Sequence, residues 1–315
     1  MSIETNSHGH LIRSQLWSSQ LKEALEDELF AMQWVDMITD FPDGDTINIA
    51  SLGQAEVQDY EEGQAVRYTS MDTGNFQFSL TDYKASAVAI TNKMKQDSHQ
   101  MSRIVSSFVP KMQRAIMKSM EVDLLAVGPD GQTASDLNVI NGANHRFIGG
   151  GTNEVIEVQD FARALYALQK ADVPATNLVA IVDPSVEYAI NTITNITNVS
   201  NNPMWEGIIA SGMSSGMRFM KNIYGFDVYV SHNLKSGVAE TIDGKTTTTG
   251  VANLFFSAAP DVLPFVGNVR QSPVVDSEYN KDLQRDEYVT TARYGFGFYR
   301  PENLVTVITD TDQVS

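Results

Sequence analysis

The chain has no cysteine, which excludes disulfides and thiolate metal sites. It also lacks any run close to the roughly 18 apolar residues that a membrane-spanning helix requires. The opening octet, MSIETNSH, has neither the basic cluster nor the apolar stretch of a secretory leader. The expectation is an intracellular, soluble protein with no membrane partner. Basic residues are scarce: 22 Lys and Arg stand against 39 Asp and Glu, a formal net charge of −17. That balance argues against a general nucleic-acid binder, which needs concentrated positive charge to meet phosphate. It favours solubility and repulsion between free copies, so association would need well-packed or locally complementary contacts.

What is present is apolar material. Of 315 residues, 42% are hydrophobic, enough for a packed core and a length of two domains, or of one domain with a large excursion. Residues 1–15 are polar and read as an arm. Leu16, Leu21, Leu25, Leu29, Met32 and Val35 recur at helical steps, predicting an amphipathic helix over 16–37, with Glu23, Glu26, Asp27 and Glu28 on its solvated face. After the turn signal Phe41-Pro42-Asp43-Gly44-Asp45, alternation begins at Thr46-Ile47-Asn48-Ile49. A polar, strand-rich stretch continues to Thr91, its closing strand at 86–91. Such a ribbon has little core of its own. An isolated hairpin is marginal in water, and its open edges invite another chain.

A short polar helix or turn is expected over 92–99. Met101, Ile104, Val105, Phe108, Met112, Ala115, Ile116 and Met120 then predict one long helix over 98–126. At 1.5 Å per residue it would be roughly 40 Å long. Pro110 should kink it without ending it. Gly128-Pro129-Asp130-Gly131 reads as a turn, followed by loop to Asn153. Further on come a helix over 158–171, a strand over 177–182 and a helix opened by Asp183-Pro184. A polar loop over 191–203 and a strand over 224–231 follow. Next is a hairpin over 235–250 with Asp243-Gly244 at its tip, and strands over 251–257, 261–269, 286–299 and 304–308. The order is α+β, without internal repeats and without a βαβ array.

The motifs that carry chemistry elsewhere are weak. Gly212-Met213-Ser214-Ser215-Gly216 fits a nucleophile elbow, followed by Asp227 and His232. Acid and base on one short segment do not suit that mechanism, and a glycine-serine turn is preferred. His8 and His10, with His99, His145 and His232, are too scattered for a metal site. Gly149-Gly150-Gly151 has no Lys-Ser/Thr after it and reads as a flexible loop. Met101, Met112, Met117 and Met120 read as helix packing, or as an adaptable contact between copies. Glu61-Glu62 reads as solvated charge, or as a partner for Lys or Arg on a neighbour. No catalytic, cofactor-binding or metal-binding residue is assigned, and no enzyme activity is expected.

Five segments together resemble a known family. They are the ribbon at Asp43-Gly44-Asp45-Thr46-Ile47-Asn48-Ile49, the long helix from Ser98, and Leu178-Val179-Ala180-Ile181-Val182-Asp183-Pro184 before a helix. The other two are Ile223-Tyr224-Gly225-Phe226-Asp227-Val228-Tyr229-Val230-Ser231-His232-Asn233 and Tyr294-Gly295-Phe296-Gly297-Phe298-Tyr299-Arg300-Pro301-Glu302. In this order they are similar to the major capsid proteins of tailed bacteriophages, with the Hong-Kong-97-like shell fold.

The resemblance implies an N-terminal arm and helix over 1–40 and an extended loop over 41–92. It implies a peripheral domain with a spine helix over 93–172 and 265–300, and an axial domain over 173–264 and 301–315. It implies a virion protein, made in the bacterial host cytoplasm, that self-assembles into hexamers and pentamers of an icosahedral shell around double-stranded DNA. The DNA would be held without sequence-specific binding and without cofactors. Candidate inter-subunit contacts are Trp17, Ile47, Ile49, Glu61, Glu62, Arg67, Tyr68, Phe76, Arg103 and Arg114. Separate scaffolding, portal and decoration proteins are the further partners implied. No long helical scaffold segment is expected before the arm, so any scaffold would be a separate protein; no lysine–asparagine cross-link pair is identified, so covalent chainmail is not expected. The alternatives are an encapsulin-like compartment shell, a tail-tube or decoration protein and, remotely, a serine hydrolase using Ser214.

Overall fold

The computed structural model describes residues 29–39, 46–52, 59, 62–63, 73–97, 101–192 and 219–310. In chain order its strands begin with β1 (Val35–Met37), β2 (Thr46–Leu52), β3 (Thr73–Ser79) and β4 (Asp82–Thr91). Helices α1 (Asn92–Asp97) and α2 (Met101–Gly131) follow, then β5 (Val139–Ile140), β6 (Ala143–Asn144), β7 (Arg146–Ile148) and α3 (Val158–Lys170). Next come β8 (Leu178–Val182), α4 (Pro184–Thr192), β9 (Phe219–Ile223), β10 (Phe226–Val230) and β11 (Val238–Ile242). The last strands are β12 (Lys245–Ser257), β13 (Phe265–Asn280), β14 (Arg285–Phe298) and β15 (Val305–Asp310).

Two sheets share α2. The first has the order β1-β13-β14-β4. Ile116 and Met120 of α2 bury against Ala292 and Tyr294 of β14, and the Tyr294 hydroxyl donates to Asp123 at 2.5 Å. The second sheet runs β7-β15-β12-β8-β10-β9, with β11 on β12. One face is covered by α3 and α4, where Phe161, Leu168, Val186 and Ile190 meet Phe226, Phe255 and Val307. The other face packs Val179, Ile181, Leu254 and Phe256 against Leu124 and Leu125 of α2. With both faces covered, β8 is the unbroken apolar run LVAIV, buried at every position.

Several expectations hold. β2 and β3 form the ribbon, with Ile47 opposite Phe78 and Ile49 opposite Phe76. α2 continues through Pro110. Asp183 accepts the Ser185 N–H at 2.9 Å and so caps α4. Asp243 and Gly244, both at positive φ, turn the β11–β12 hairpin.

Others need correction. The helix expected to reach residue 37 is, in its described part, a 3-10 turn (Ala31–Trp34) followed by β1. Pairing with β13, Val35 opposite Phe265, holds that segment extended. The strand read as closing the ribbon is part of β4, which joins the first sheet through ten pairs with β14. Tyr224 and Gly225, read as strand, are at positive φ and turn a β9–β10 hairpin. β13 begins four residues later than expected and extends far beyond Val269, to Asn280. The segment 143–172, expected with the spine helix, sits on the second sheet: β7 pairs with β15 and α3 fills the core beneath it.

Gly128-Pro129-Asp130-Gly131 is the last turn of α2 rather than a loop. A Cβ on Gly128 would lie 2.5 Å from Leu304 Cδ2, and one on Gly131 would lie 2.6 Å from Phe298 Cδ1. These glycines let the helix end press onto the strands. Gly149-Gly150-Gly151 is likewise a packed bend: the Gly150 N–H donates to buried Asp160 at 2.8 Å, and Lys245 Nζ donates to the Gly149 and Gly150 carbonyls.

Candidate inter-subunit contact surface

The ribbon is anchored at its base. β14 reads Tyr-Gly-Phe-Gly-Phe over 294–298; Tyr294 and Phe296 contribute to the α2 interface, while Gly295 and Gly297 leave the opposite face flat. A Cβ on Gly297 would sit 3.1 Å from Phe76 Cζ and from Phe78 Cβ, and one on Gly295 would sit 2.8 Å from the Ser79 carbonyl oxygen. On this floor Ile47, Phe78 and Leu80 bury with Val266, flanked by Ile38, Ile49, Phe76 and Tyr299. The core that the ribbon lacks is therefore supplied, at its base, by the same chain. Beyond Leu52 and Thr73 the described residues include only Asp59, Glu62 and Gly63, with Glu62 exposed in a turn where Gly63 has φ 92°.

This placement sorts the candidates. Ile47 is 2% exposed and has no surface left for a neighbour, so it leaves the contact set. Ile49 and Phe76 are half-buried at the edge of the same cluster. Glu62 is exposed, and Arg114 lies half-buried on α2. Trp17, Glu61, Arg67 and Tyr68, and the side chain of Arg103, lie outside the described residues. The methionine stripe splits: Met112 and Met120 are buried, Met117 is exposed, and the Met101 side chain is not described.

Two surfaces escaped the sequence reading. Antiparallel register puts Tyr83, Ala85, Ala87 and Ala89 of β4 on one face with Val289 and Thr291 of β14 and Val274 of β13. Among the described residues nothing covers this face, and Tyr83 and Val274 are 61% and 60% exposed. The alternation of small residues in Ala-Ser-Ala-Val-Ala was its only signal. The second surface is a stripe on α2 where Phe108 and Val122 are exposed, about four turns apart on one side of the helix.

The ionisable groups show a scaffold rather than a reaction centre. Burial, then the bond to Asp123, pushes the Tyr294 phenol up. Burial pushes the His145 imidazole down. Its Nδ1 lies 3.1 Å from the Ala143 carbonyl, which can only accept, so the proton sits on Nδ1. The hydrogen bond from Arg285 holds Glu287 below the usual carboxylate range. Asp227, the acid of the supposed triad, accepts from Asn222 at 2.8 Å within the β9–β10 hairpin. His232 is exposed, and Ser214 lies outside the described residues. Among the described residues no cluster of His, Asp or Glu could hold a metal ion, and no helix is long and apolar enough to cross a membrane.

Comparison with known proteins places this architecture. A family model described as phage capsid protein matches residues 75–307. Among solved structures, one titled Mycobacterium phage Che8 is 16% identical with a TM-score of 0.66, covering 94% of this chain and 97% of that one. The capsid structure of cyanophage P-SCSP1u is 14% identical with a TM-score of 0.68, covering 94% and 92%. The capsid of a native GTA particle is 9% identical with a TM-score of 0.65, covering 98% and 99%. At such identities the structural likeness carries the fold. No curated protein matches the chain.

Proposed function

Because this chain belongs to the phage capsid protein family, a family of shell components rather than enzymes, we propose that it tiles the virion head by laying its ribbon across a neighbouring copy. The single observation behind this reading is the ribbon's one-ended attachment. β2 and β3 hydrogen-bond only to each other in the described structure and bury side chains only near their base.

Charge supports the choice of α2 as the receiving surface. Residues 53–63 hold Glu56, Asp59, Glu61 and Glu62 with no basic residue, whereas residues 101–120 hold Arg103, Lys111, Arg114 and Lys118 with no acidic one. In a chain of net charge −17, this is a local complementarity that overcomes general repulsion between copies. The arm before Phe30 reaches a second neighbour, and the compact body forms hexamers and pentamers. In these terms the first sheet with α2 is the peripheral region and the second sheet with α3 and α4 the axial one.

Burying roughly 500 Å² of apolar surface per contact gives a gross term near 12 kcal/mol at about 25 cal/mol/Å². Lost rigid-body freedom offsets much of it. Each contact is therefore weak enough for misplaced subunits to leave, and closure over many contacts makes the shell durable. The acidic surface leaves packaged DNA without a specific site on the wall.

Replacing residues 54–71 with a short Gly-Ser bridge tests the reading. The variant subunit should unfold at the temperature of the parent and form no particles in negative-stain micrographs. Normal particles from it would overturn the ribbon's role.

A further inference from the structure

Glu121 of α2 is 1% exposed, and among the described residues no lysine or arginine pairs with it. Its carboxylate is filled instead by N–H groups from two remote parts of the chain. Oε2 accepts the backbone N–H of Phe30 at 2.8 Å and of Ala31 at 3.3 Å. Oε1 accepts the side-chain amide of Asn233, beyond β10 of the second sheet, at 3.2 Å. Phe30 and Ala31 open the 3-10 turn, whose first N–H groups have no acceptor within the turn. The Phe30 side chain cannot cap them. A carboxylate some ninety positions away does so, with the sign of charge that a helix start favours.

This turn is the first half of a strap that crosses the subunit. Trp34 stacks edge-on against Phe30 at 5.5 Å, Tyr229 at 4.9 Å and Phe256 at 5.8 Å, so residues 30–34 lie on the second sheet. Residues 35–38 then pair with β13 of the first sheet, the Ile38 N–H reaching Gly267 at 2.9 Å. The two fastenings differ in kind. One is a strand ladder backed by the Asn268 side chain on the Ile38 carbonyl at 2.6 Å; the other joins the burial of Ala31 and Trp34 among Leu124, Leu125 and Phe256 to one side chain that holds two backbone amides.

We propose that Glu121 is a latch on this strap. It fixes where the chain before Phe30 leaves the subunit. Breaking it loosens the backbone at Phe30 and Ala31, while Trp34 keeps its place in the core and β1, α2 and both sheets stay folded. The latch acts on the backbone at the start of the strap, at the cost of a few hydrogen bonds, and leaves the ring contacts of Trp34 with Tyr229 and Phe256 in place. It is a property of the single subunit and stands whether or not the ribbon bridges copies.

Hydrogen exchange read by mass spectrometry on the full-length, unassembled protein tests it. Glu121→Gln keeps the size of the side chain but offers one oxygen and one NH₂ to three donors. Exchange at Phe30 and Ala31 should rise by roughly tenfold or more, the scale of a lost charge-assisted hydrogen bond. Leu178–Val182 and residues 251–257 should exchange as in the parent. Unchanged exchange of the strap would overturn the latch. So would a loss of protection spread over both sheets, which would make Glu121 a general core residue. If Glu121→Gln yields no folded protein, Glu121→Asp takes its place: the charge remains but is drawn back by one methylene, and the same local pattern is required.

Discussion

Arg146 and Glu240, ninety-four positions apart, close a two-bond ion pair: Nε donates to Oε2 at 2.9 Å and Nη2 to Oε1 at 2.6 Å. Their side chains are 1% and 8% exposed. Ser135 adds its N–H to Glu240 at 3.1 Å, and Arg146 Nη1 donates to the Pro129 carbonyl at 3.1 Å. The pair thus fastens the β11–β12 hairpin to the end of α2. Arg146→Met strands a buried carboxylate and should cost about 3–5 kcal/mol. Adding Glu240→Leu should restore most of that loss, since an apolar pair replaces a charged one at little net cost. Urea unfolding of the unassembled protein measures both, and a single variant as stable as the parent would show the pair to be unimportant.

Acidification should weaken the fold in two stages. Burial holds His145 below its ordinary 6.5, so the unfolded chain takes up a proton first. The stability His145 contributes is whole above pH 6.5 and declines as pH falls from there. For Glu240 burial acts upward, but the hydrogen bonds from Arg146 and Ser135 outweigh it and hold it below 4.5. Its contribution is whole above pH 4.5 and is lost as pH falls through the lowered value. His145→Leu should flatten the urea midpoint between about pH 7 and pH 5 and leave the lower limb in place. An unchanged upper limb would assign it to another group.

Gly128→Ala pits helix propensity against space. Alanine gains up to about 1 kcal/mol in a helix, but its methyl must displace buried Leu304 and Phe265, at about 1–3 kcal/mol. The expected result is a net loss of about 1–2 kcal/mol, read from the denaturant midpoint. A gain in stability would mean that the helix end can lift off the strands.

Ile47→Ala should destabilise the free subunit by about 2–5 kcal/mol, the range for emptying a buried site. Val274→Ala, on the uncovered sheet face, should stay within about 0.5 kcal/mol. Thermal unfolding of unassembled protein compares them. Equal, small effects would return Ile47 to the set of contact residues.

Much of this was legible in the chain. The apolar run at Leu178–Val182 and the cap at Asp183 depend on local pattern, and both came through. So did the Asp243-Gly244 turn. The misreadings arose where distant residues decide a local outcome. Val35 has a helical neighbour pattern, yet β13 recruits it as a strand. Gly128 and Gly131 look like turn residues, yet their lack of a side chain serves close packing against Leu304 and Phe298. Gly295 and Gly297 were visible as a motif, but that they form a floor for Phe76 and Phe78 depends on a fold that brings β3 across β14. Glu121 gave no signal at all, because a buried carboxylate filled by remote amides looks in sequence like any acid on a helix.

β15, the last described strand, does not lie at a sheet edge. It is inserted between β7 and β12, with Val305, Val307 and Ile308 wholly buried. The second sheet therefore stays split until residue 310 has been synthesised, and a chain stalled before that point shows two raw edges instead of a finished face.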